Sequence, residues 1–439
     1  MTVAANQILL WKPAPLPPVN MTMRTLVTIL FLFVVSIQAT VPAEDWPQFR
    51  GPGGQGHSSS KNLPLRWSPG TNVVWKRNLP GNGWSSPVLL QGRVYLTTAV
   101  TDEPGVAGSS GDISLRVLCL DAASGNVHWN VEVATLSAGA SMHAKNSHAS
   151  ATPVVTSDRV YVHYASHGTA AFDLDGNPIW KKKIEYNPKH GTGSSPVLFE
   201  DLLIFNCDGL KSAFVIALDC ATGQERWRTS RPDLAKVKFS FSTPLVIDVA
   251  DDPQLVSAGS DLVCGYSPRN GKQLWMVHYP EKWSVVPRPV YAGGLVLIST
   301  GYEGPAELLA IRPNGSGNVT ETHVAWRARR FVPYNPSPII HDGCVYLISD
   351  SGIASCRDLK TGDLLWKERV GGTYSASPLL AENRIYLMSE DGRCTVIRAA
   401  PEFHELARND LEERSLASIT PTDGALLIRT IGGLYRIGN

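Results

Sequence analysis

The residues most able to do chemistry in this chain are its histidines. Eleven occur, and five fall in one stretch: His143, His148, His163, His167 and His190, with Lys145 among them. Imidazole is the commonest protein ligand for zinc or copper, so a cluster could hold a metal, or with Lys145 an anion. The competing expectation is that each ring bonds to nearby backbone in a loop. No residue is assigned a catalytic role and no metal site is assigned. Other signals for chemistry are weaker. Gly51-Pro52-Gly53-Gly54-Gln55-Gly56 matches the GxGxxG spelling, but the polar run His57-Ser58-Ser59-Ser60 follows it. A dinucleotide site needs a strand before that turn and a helix after it. His404-Glu405 leads to Arg408 where a zinc protease would have its second histidine. The seven cysteines include no CxxC pair, which argues against a zinc ribbon or a thioredoxin-like redox site. They sit in apolar strand patterns, as small buried hydrophobes do. Cys344 and Cys356 flank one hairpin and could cross-link.

Charge narrows the partners. The chain of 439 residues has 40 basic and 39 acidic side chains, a net of +1. A nucleic-acid binder needs a dense basic face. Hydrophobic content is 43%, and the 38 glycines, 31 prolines and 12 tryptophans point to a turn-rich β protein.

The first 43 residues read as a secretory signal. Arg24 precedes the apolar run Leu26–Val35, and Val41-Pro42-Ala43 places small residues before a cut at Glu44. The run is short for a membrane span, which takes about 20 residues. A start at Met21 or Met23 would give a signal of ordinary length. The alternative is an N-terminal anchor that stays uncut. With the signal removed, a periplasmic or secreted location follows. No cysteine precedes Cys119, so a lipoprotein is not expected.

The elements that must position the histidines repeat along the chain. A Ser/Thr-Pro-aliphatic phrase recurs at Ser86-Pro87-Val88, Thr152-Pro153-Val154, Ser195-Pro196-Val197, Thr243-Pro244-Leu245, Ser337-Pro338-Ile339 and Ser377-Pro378-Leu379. Arg288-Pro289-Val290 is a variant, and Thr420-Pro421-Thr422 is read as a degenerate eighth copy. A tryptophan column runs in step: Trp75, Trp129, Trp180, Trp227, Trp275, Trp326 and Trp366. A period of 40–50 residues with several short strands signals a propeller. The expected fold is all-β, an eight-bladed propeller of four-stranded antiparallel blades. Residues 44–70 form a lead-in and 71–439 the propeller. Val73-Val74-Trp75-Lys76 supplies the outer strand of the last blade, closing the ring between the two ends of the chain and hiding its edges. The tryptophans then serve as docking rings between blades. Blade one is enlarged at Thr101–Asp112 and Val131–Asn146, and long loops on a rigid scaffold often carry function. His143 and His148 precede blade two, and His190 precedes blade three, where loops lead toward the central channel.

The phrase Ala217-Leu218-Asp219-Cys220-Ala221-Thr222-Gly223-Gln224-Glu225-Arg226-Trp227 resembles the tryptophan-docking repeat of quinoprotein alcohol dehydrogenase-like propellers, or PQQ-like repeats. The likeness covers roughly residues 70–439. The stretch Asp45-Trp46-Pro47-Gln48-Phe49-Arg50-Gly51-Pro52 is similar to the start of secreted PQQ-like propellers of planctomycete-type bacteria. The resemblance spans quinone-dependent dehydrogenases, sensor propellers and, more distantly, the non-enzymatic scaffold of the outer-membrane β-barrel assembly machine, so fold leaves function open. The dehydrogenases of the family hold a calcium ion, an Asp base and often a disulfide of adjacent cysteines. None of these maps onto this chain, so no cofactor is expected and PQQ with calcium is disfavoured. The expected function is an exported scaffold for an envelope or extracellular protein or polymer, with no nucleic acid and no stable membrane span after cleavage. The alternative is a quinone- or metal-dependent oxidoreductase using the central channel.

Overall fold

The computed structural model describes residues 44–101, 111–137, 140, 142–191 and 193–438. The signal-like stretch 1–43 and most of the Thr101–Asp112 loop lie outside them. The described residues form eight antiparallel sheets, each the blade of a propeller. Blades one to seven span 88–136, 154–182, 197–230, 245–278, 290–328, 339–369 and 379–410. In each, the chain runs from the innermost strand to the outermost. Blade eight takes Thr420–Thr422, Ala425–Arg429 and Gly433–Gly438 from one end of the ring, and Val73–Asn78 from the other. Val73–Asn78 pairs antiparallel with Gly433–Gly438 as the outer strand, as the repeat count requires. No helix among the described residues is long and apolar enough to cross a membrane.

Burial follows radius. Inner strands such as Val88–Leu90 and Leu379–Ala381 are wholly buried, whereas outer strands such as Leu364–Arg369 are mostly exposed. Side chains from facing blades interleave, so each sheet hides the face its neighbour cannot. Blade one is large partly because three of its strands run to nine, nine and ten residues.

Six of the seven column tryptophans bond to the following blade. The indole N–H of Trp180 donates to the Cys220 carbonyl at 2.9 Å, in the next blade's Asp219–Gly223 turn. Trp75, Trp129, Trp227, Trp326 and Trp366 reach the matching carbonyls of Ala122, Leu174, Pro268, Leu359 and Ala400 at 2.9–3.2 Å. The turn is built for this. Asp219 Oδ1 accepts the N–H groups of Ala221 and Thr222. Gly223 has φ +69°, and a Cβ there would lie 2.6 Å from Trp180. Trp275 is the exception. It donates to Gln254 Oε1 at 2.7 Å within its own blade and lies over Gly265, where a Cβ would meet it at 2.2 Å. Blade five carries an inserted strand, Gly317–Asn318, which pairs parallel to blade four's outer strand beside Trp275. The insertion takes the place of the turn on which the indole would dock.

The inner ends of the blades are stitched together by the repeated phrase. The Ser86 N–H donates to Thr152 Oγ1, Thr152 N–H to Ser195 Oγ, and Ser195 N–H to Thr243 Oγ1 at 2.9–3.0 Å. The series resumes with Arg288 N–H to Ser337 Oγ, then Ser337 to Ser377, Ser377 to Ser418 and Ser418 back to Ser86, at 2.9–3.2 Å. The eighth copy of the phrase is therefore Ser418-Ile419-Thr420. The expected copy at Thr420–Thr422 is displaced, because Thr420 already lies in the inner strand. The circle is interrupted between blades four and five, where Arg288 replaces the hydroxyl residue. Cys344 and Cys356 are separate thiols on adjacent strands, like the other five free cysteines.

Candidate functional site

The lead-in does more than reach blade eight. Trp46 is buried and pairs through its backbone with Leu89 of blade one. The Pro47 carbonyl accepts from Val155 of blade two. Arg50 Nη2 donates to the Pro338 carbonyl of blade six at 2.7 Å. Gln55 Oε1 accepts from the Tyr291 N–H of blade five, and His57–Ser58 runs parallel to Leu380–Ala381 of blade seven. The segment thus crosses one mouth of the central channel and plugs it. The glycines of the GxGxxG spelling serve this crossing. Gly51 has φ +80° and a Cβ there would lie 2.5 Å from the Trp46 ring, while a Cβ on Gly54 would lie 2.4 Å from the Arg288 guanidinium.

Above the plug, the channel is a blind cup of about 420 Å³. Phe49 of the lead-in lies at its floor, and the stitched hydroxyl residues line it. Aromatic side chains form much of the wall: Trp84, Phe239, Phe241, Trp283 and Tyr302. Tyr302 stacks on Tyr334 at 4.5 Å between ring centroids.

The histidines separate into three places. His143 and His190 line the cup, with ring centroids 5.5 Å apart in an edge-to-face arrangement. The Lys145 N–H donates to His143 Nδ1, and Asn146 Nδ2 donates to the His190 carbonyl. Burial, then the charges of Lys189 and His143, draw the His190 imidazole below its ordinary range. His148 is buried away from the cup, and burial lowers its pKa. His167 lies close enough for His148 to affect its charge, although burial is the larger influence. His163 points into the interface of blades two and three. Its ring lies tilted against Phe205, 4.2 Å between centroids, and shares a 2.8 Å hydrogen bond with Thr169, and burial pulls its pKa down to about 3. The five rings do not converge: alternation in strand Val160–His163 and the fold of the 143–148 loop send them in different directions. Among the described residues no group of three His, Cys, Asp or Glu side chains could hold a metal ion.

Lys145 lines the cup and pairs with Glu390 of blade seven at 2.9 Å. Glu390 also accepts from Ser375 Oγ at 2.7 Å. The second acid near the mouth, Asp350, accepts from the Tyr334 N–H and from Asn335, and burial raises its pKa. The stitched circle, the plug and the aromatic wall were not assigned to the site from sequence. The repeated hydroxyl before each proline was their visible signal.

A calcium site needs several oxygen ligands, usually with more than one carboxylate. The two carboxylates here are each held by other partners, and the cysteines lie inside strands instead of forming an adjacent pair.

The model for outer membrane protein assembly factor BamB matches residues 67–202, 214–368 and 338–402, well over half of the chain. No curated protein sequence matches it. Among solved structures, BamB from Moraxella catarrhalis superposes with TM-score 0.57 at 13% identity, over 83% of this chain and 98% of that one. The quinohemoprotein alcohol dehydrogenase of Comamonas testosteroni gives TM-score 0.52 at 14% identity, over 90% and 81%. The computationally designed protein Ika8 gives TM-score 0.55 at 10% identity, over 84% and 98%. At these identities the likeness extends to the fold alone. With its matched repeats running around the propeller, this chain belongs to the family described as outer membrane protein assembly factor BamB.

Proposed function

We propose that this protein is an exported binding propeller that holds a protein or polymeric partner at the open face of its channel, without catalysing a reaction there. One observation carries the reading. The channel is blind, because its own residues Trp46–Ser58 close the far mouth, leaving a single cup with an aromatic wall and a polar rim. Such a cup suits an anchoring group that enters from one side. The family description supports an envelope setting, and the signal-like residues before Glu44 support export.

A photo-crosslinking residue at Tyr302, on the cup wall, should capture a partner from envelope extract. The same residue at Leu364, on the exposed outer strand of blade six, should not. Equal yields at both positions would refute a cup-centred function. Dye-linked alcohol oxidation after incubation with PQQ and calcium would establish the oxidoreductase reading instead.

A further inference from the structure

The hydroxyl circle leaves something over. Each hydroxyl oxygen that accepts a neighbouring backbone N–H still has its own hydrogen to donate. Ser377 donates to Ser337 Oγ at 3.0 Å. The hydroxyls of Ser86, Thr152, Ser195, Thr243, Ser337 and Ser418 accept in this way and have no acceptor of their own among the described residues. All six residues line the cup. They come from six blades, so the donors are arranged about the channel axis.

The field behind this ring has a definite sign. Arg288 occupies the ring position of blade five, and its Nη1 donates to the carbonyl of Phe49, the floor residue. Its Nε donates to the Pro244 carbonyl. Arg50 lies within electrostatic reach of Arg288, and its Nη2 donates to the Gln55 and Pro338 carbonyls. Both side chains are 2% exposed, and neither is ion-paired with a described carboxylate. Arg50 Nε and Nη1 are buried and have no partner among the described residues. Guanidinium stays charged at neutral pH, so two uncompensated positive charges stand behind the floor. At the mouth, Lys145 is tied to Glu390, and Glu390 and Asp350 are engaged as described above.

We infer that the cup binds an oxyanion, a carboxylate, sulfate or phosphate group carried on the partner, seated in the hydroxyl ring with its charge facing the Arg288 side of the floor. Donors that line one cavity without competing acceptors favour a ligand with several acceptor oxygens, and a cleft with low-dielectric walls concentrates the positive field. The apolar wall then meets the body that carries the anion. This deepens the binding reading above and rests on it.

The test uses the full chain and three probes, sodium sulfate, sodium phosphate and sodium acetate, each added at constant ionic strength against sodium chloride. Trp84 and Trp283 line the cup, so intrinsic fluorescence reports occupancy. At least one probe should produce a saturating change with a midpoint below about 10 mM, and which one saturates first identifies the source of the oxygens. Thr152→Val removes one donor and should weaken the midpoint several-fold, with Thr152→Ser restoring it. Lys145→Met leaves the stitched circle intact and should also weaken it, which keeps the test open should the valine variant fold poorly. The proposal is overturned if no probe saturates, or if the midpoint is unchanged in both T152V and K145M. If crosslinking at Tyr302 persists in that case, the binding function stands and only its anionic chemistry is lost.

Discussion

The junction between blades four and five differs at both radii from the six junctions that carry both a hydroxyl link and a docked tryptophan. Near the axis, the remaining junctions each carry a backbone N–H to hydroxyl bond, whereas here Arg288 takes the hydroxyl's place. Near the rim, six tryptophans dock on the following blade, whereas Trp275 folds over Gly265 of its own. The two devices fail together and are replaced by a third. Arg288 grips the lead-in through the Phe49 carbonyl, Gly54 lies against its guanidinium, and Gln55 bonds Tyr291 next door. The plug is therefore anchored where the repeat is weakest. A ring needs continuity at every junction but not the same bond at each.

The harshest way to break this comparison is to remove what both classes of junction depend on. Deleting residues 44–77 removes the plug and most of the outer strand of blade eight, exposing the edge of Gly433–Gly438. The expected outcome is loss of a cooperative melting transition and aggregation on expression. A soluble truncation with unchanged melting would show that neither plug nor closing strand holds the ring.

Tryptophan truncation sharpens the contrast. Trp227→Ala and Trp275→Ala should each cost about 3–5 kcal/mol, as large aromatic truncations in cores do. They should loosen different places. Hydrogen exchange in the Trp227 variant should rise in the following blade's turn, Ser267–Gly271, whose Pro268 carbonyl loses its partner. In the Trp275 variant it should rise within blade four itself, around Gln254 and Gly265. Identical exchange patterns would remove the distinction.

What could be read from sequence divides along the same line. The ring, its eight blades and the closing strand were legible because periodic tryptophans and turns are local signals repeated many times. Trp275 matched the column in spacing and type, yet it turns inward. The cause is an insertion forty residues later, beside the next blade's third strand. The histidine cluster was legible as a cluster only. Proximity in sequence could not reveal that His163 faces Phe205 while His143 faces the cup. The plug was hidden for the opposite reason: a motif that looked like a lead-in makes contacts to residues hundreds of positions away, such as Arg50 to Pro338.

Acid should separate the junction types. His163 lies at the regular junction of blades two and three, where burial depresses its pKa from the ordinary 6.5 to about 3. The unfolded chain then binds a proton that the folded chain refuses. Stability from this group is complete above about pH 6.5 and declines as pH falls toward 3, at up to about 1.4 kcal/mol per pH unit. The guanidiniums of Arg50 and Arg288, pulled down by burial only to about 9, stay charged throughout that window. Chemical denaturation from pH 7 to pH 4 should show a shallower decline for His163→Gln than for the native chain. Parallel slopes would take His163 out of the acid response.

The smallest effect expected is Arg288→Ser, which rewrites the odd junction in the language of the others. The new hydroxyl can accept from the Thr243 N–H, a net gain of about 1 kcal/mol, and a buried charge without an ion-pair partner disappears. Against this, the carbonyls of Phe49 and Pro244 lose their donor and the guanidinium leaves a void beside Gly54. Breaking a regular link by Ser195→Ala has no such compensation. It leaves the Thr152 N–H without its acceptor and should cost about 1–3 kcal/mol. Opposed terms in the arginine variant should leave global stability within about 1 kcal/mol of the native chain. The local consequence is different, because the plug loses its grip on blade five. Limited proteolysis should then cut between residues 44 and 60 faster in R288S than in S195A, although S195A melts at the lower temperature. If R288S resists proteolysis as the native chain does, the lead-in is held by its other contacts, and Arg288 is no anchor.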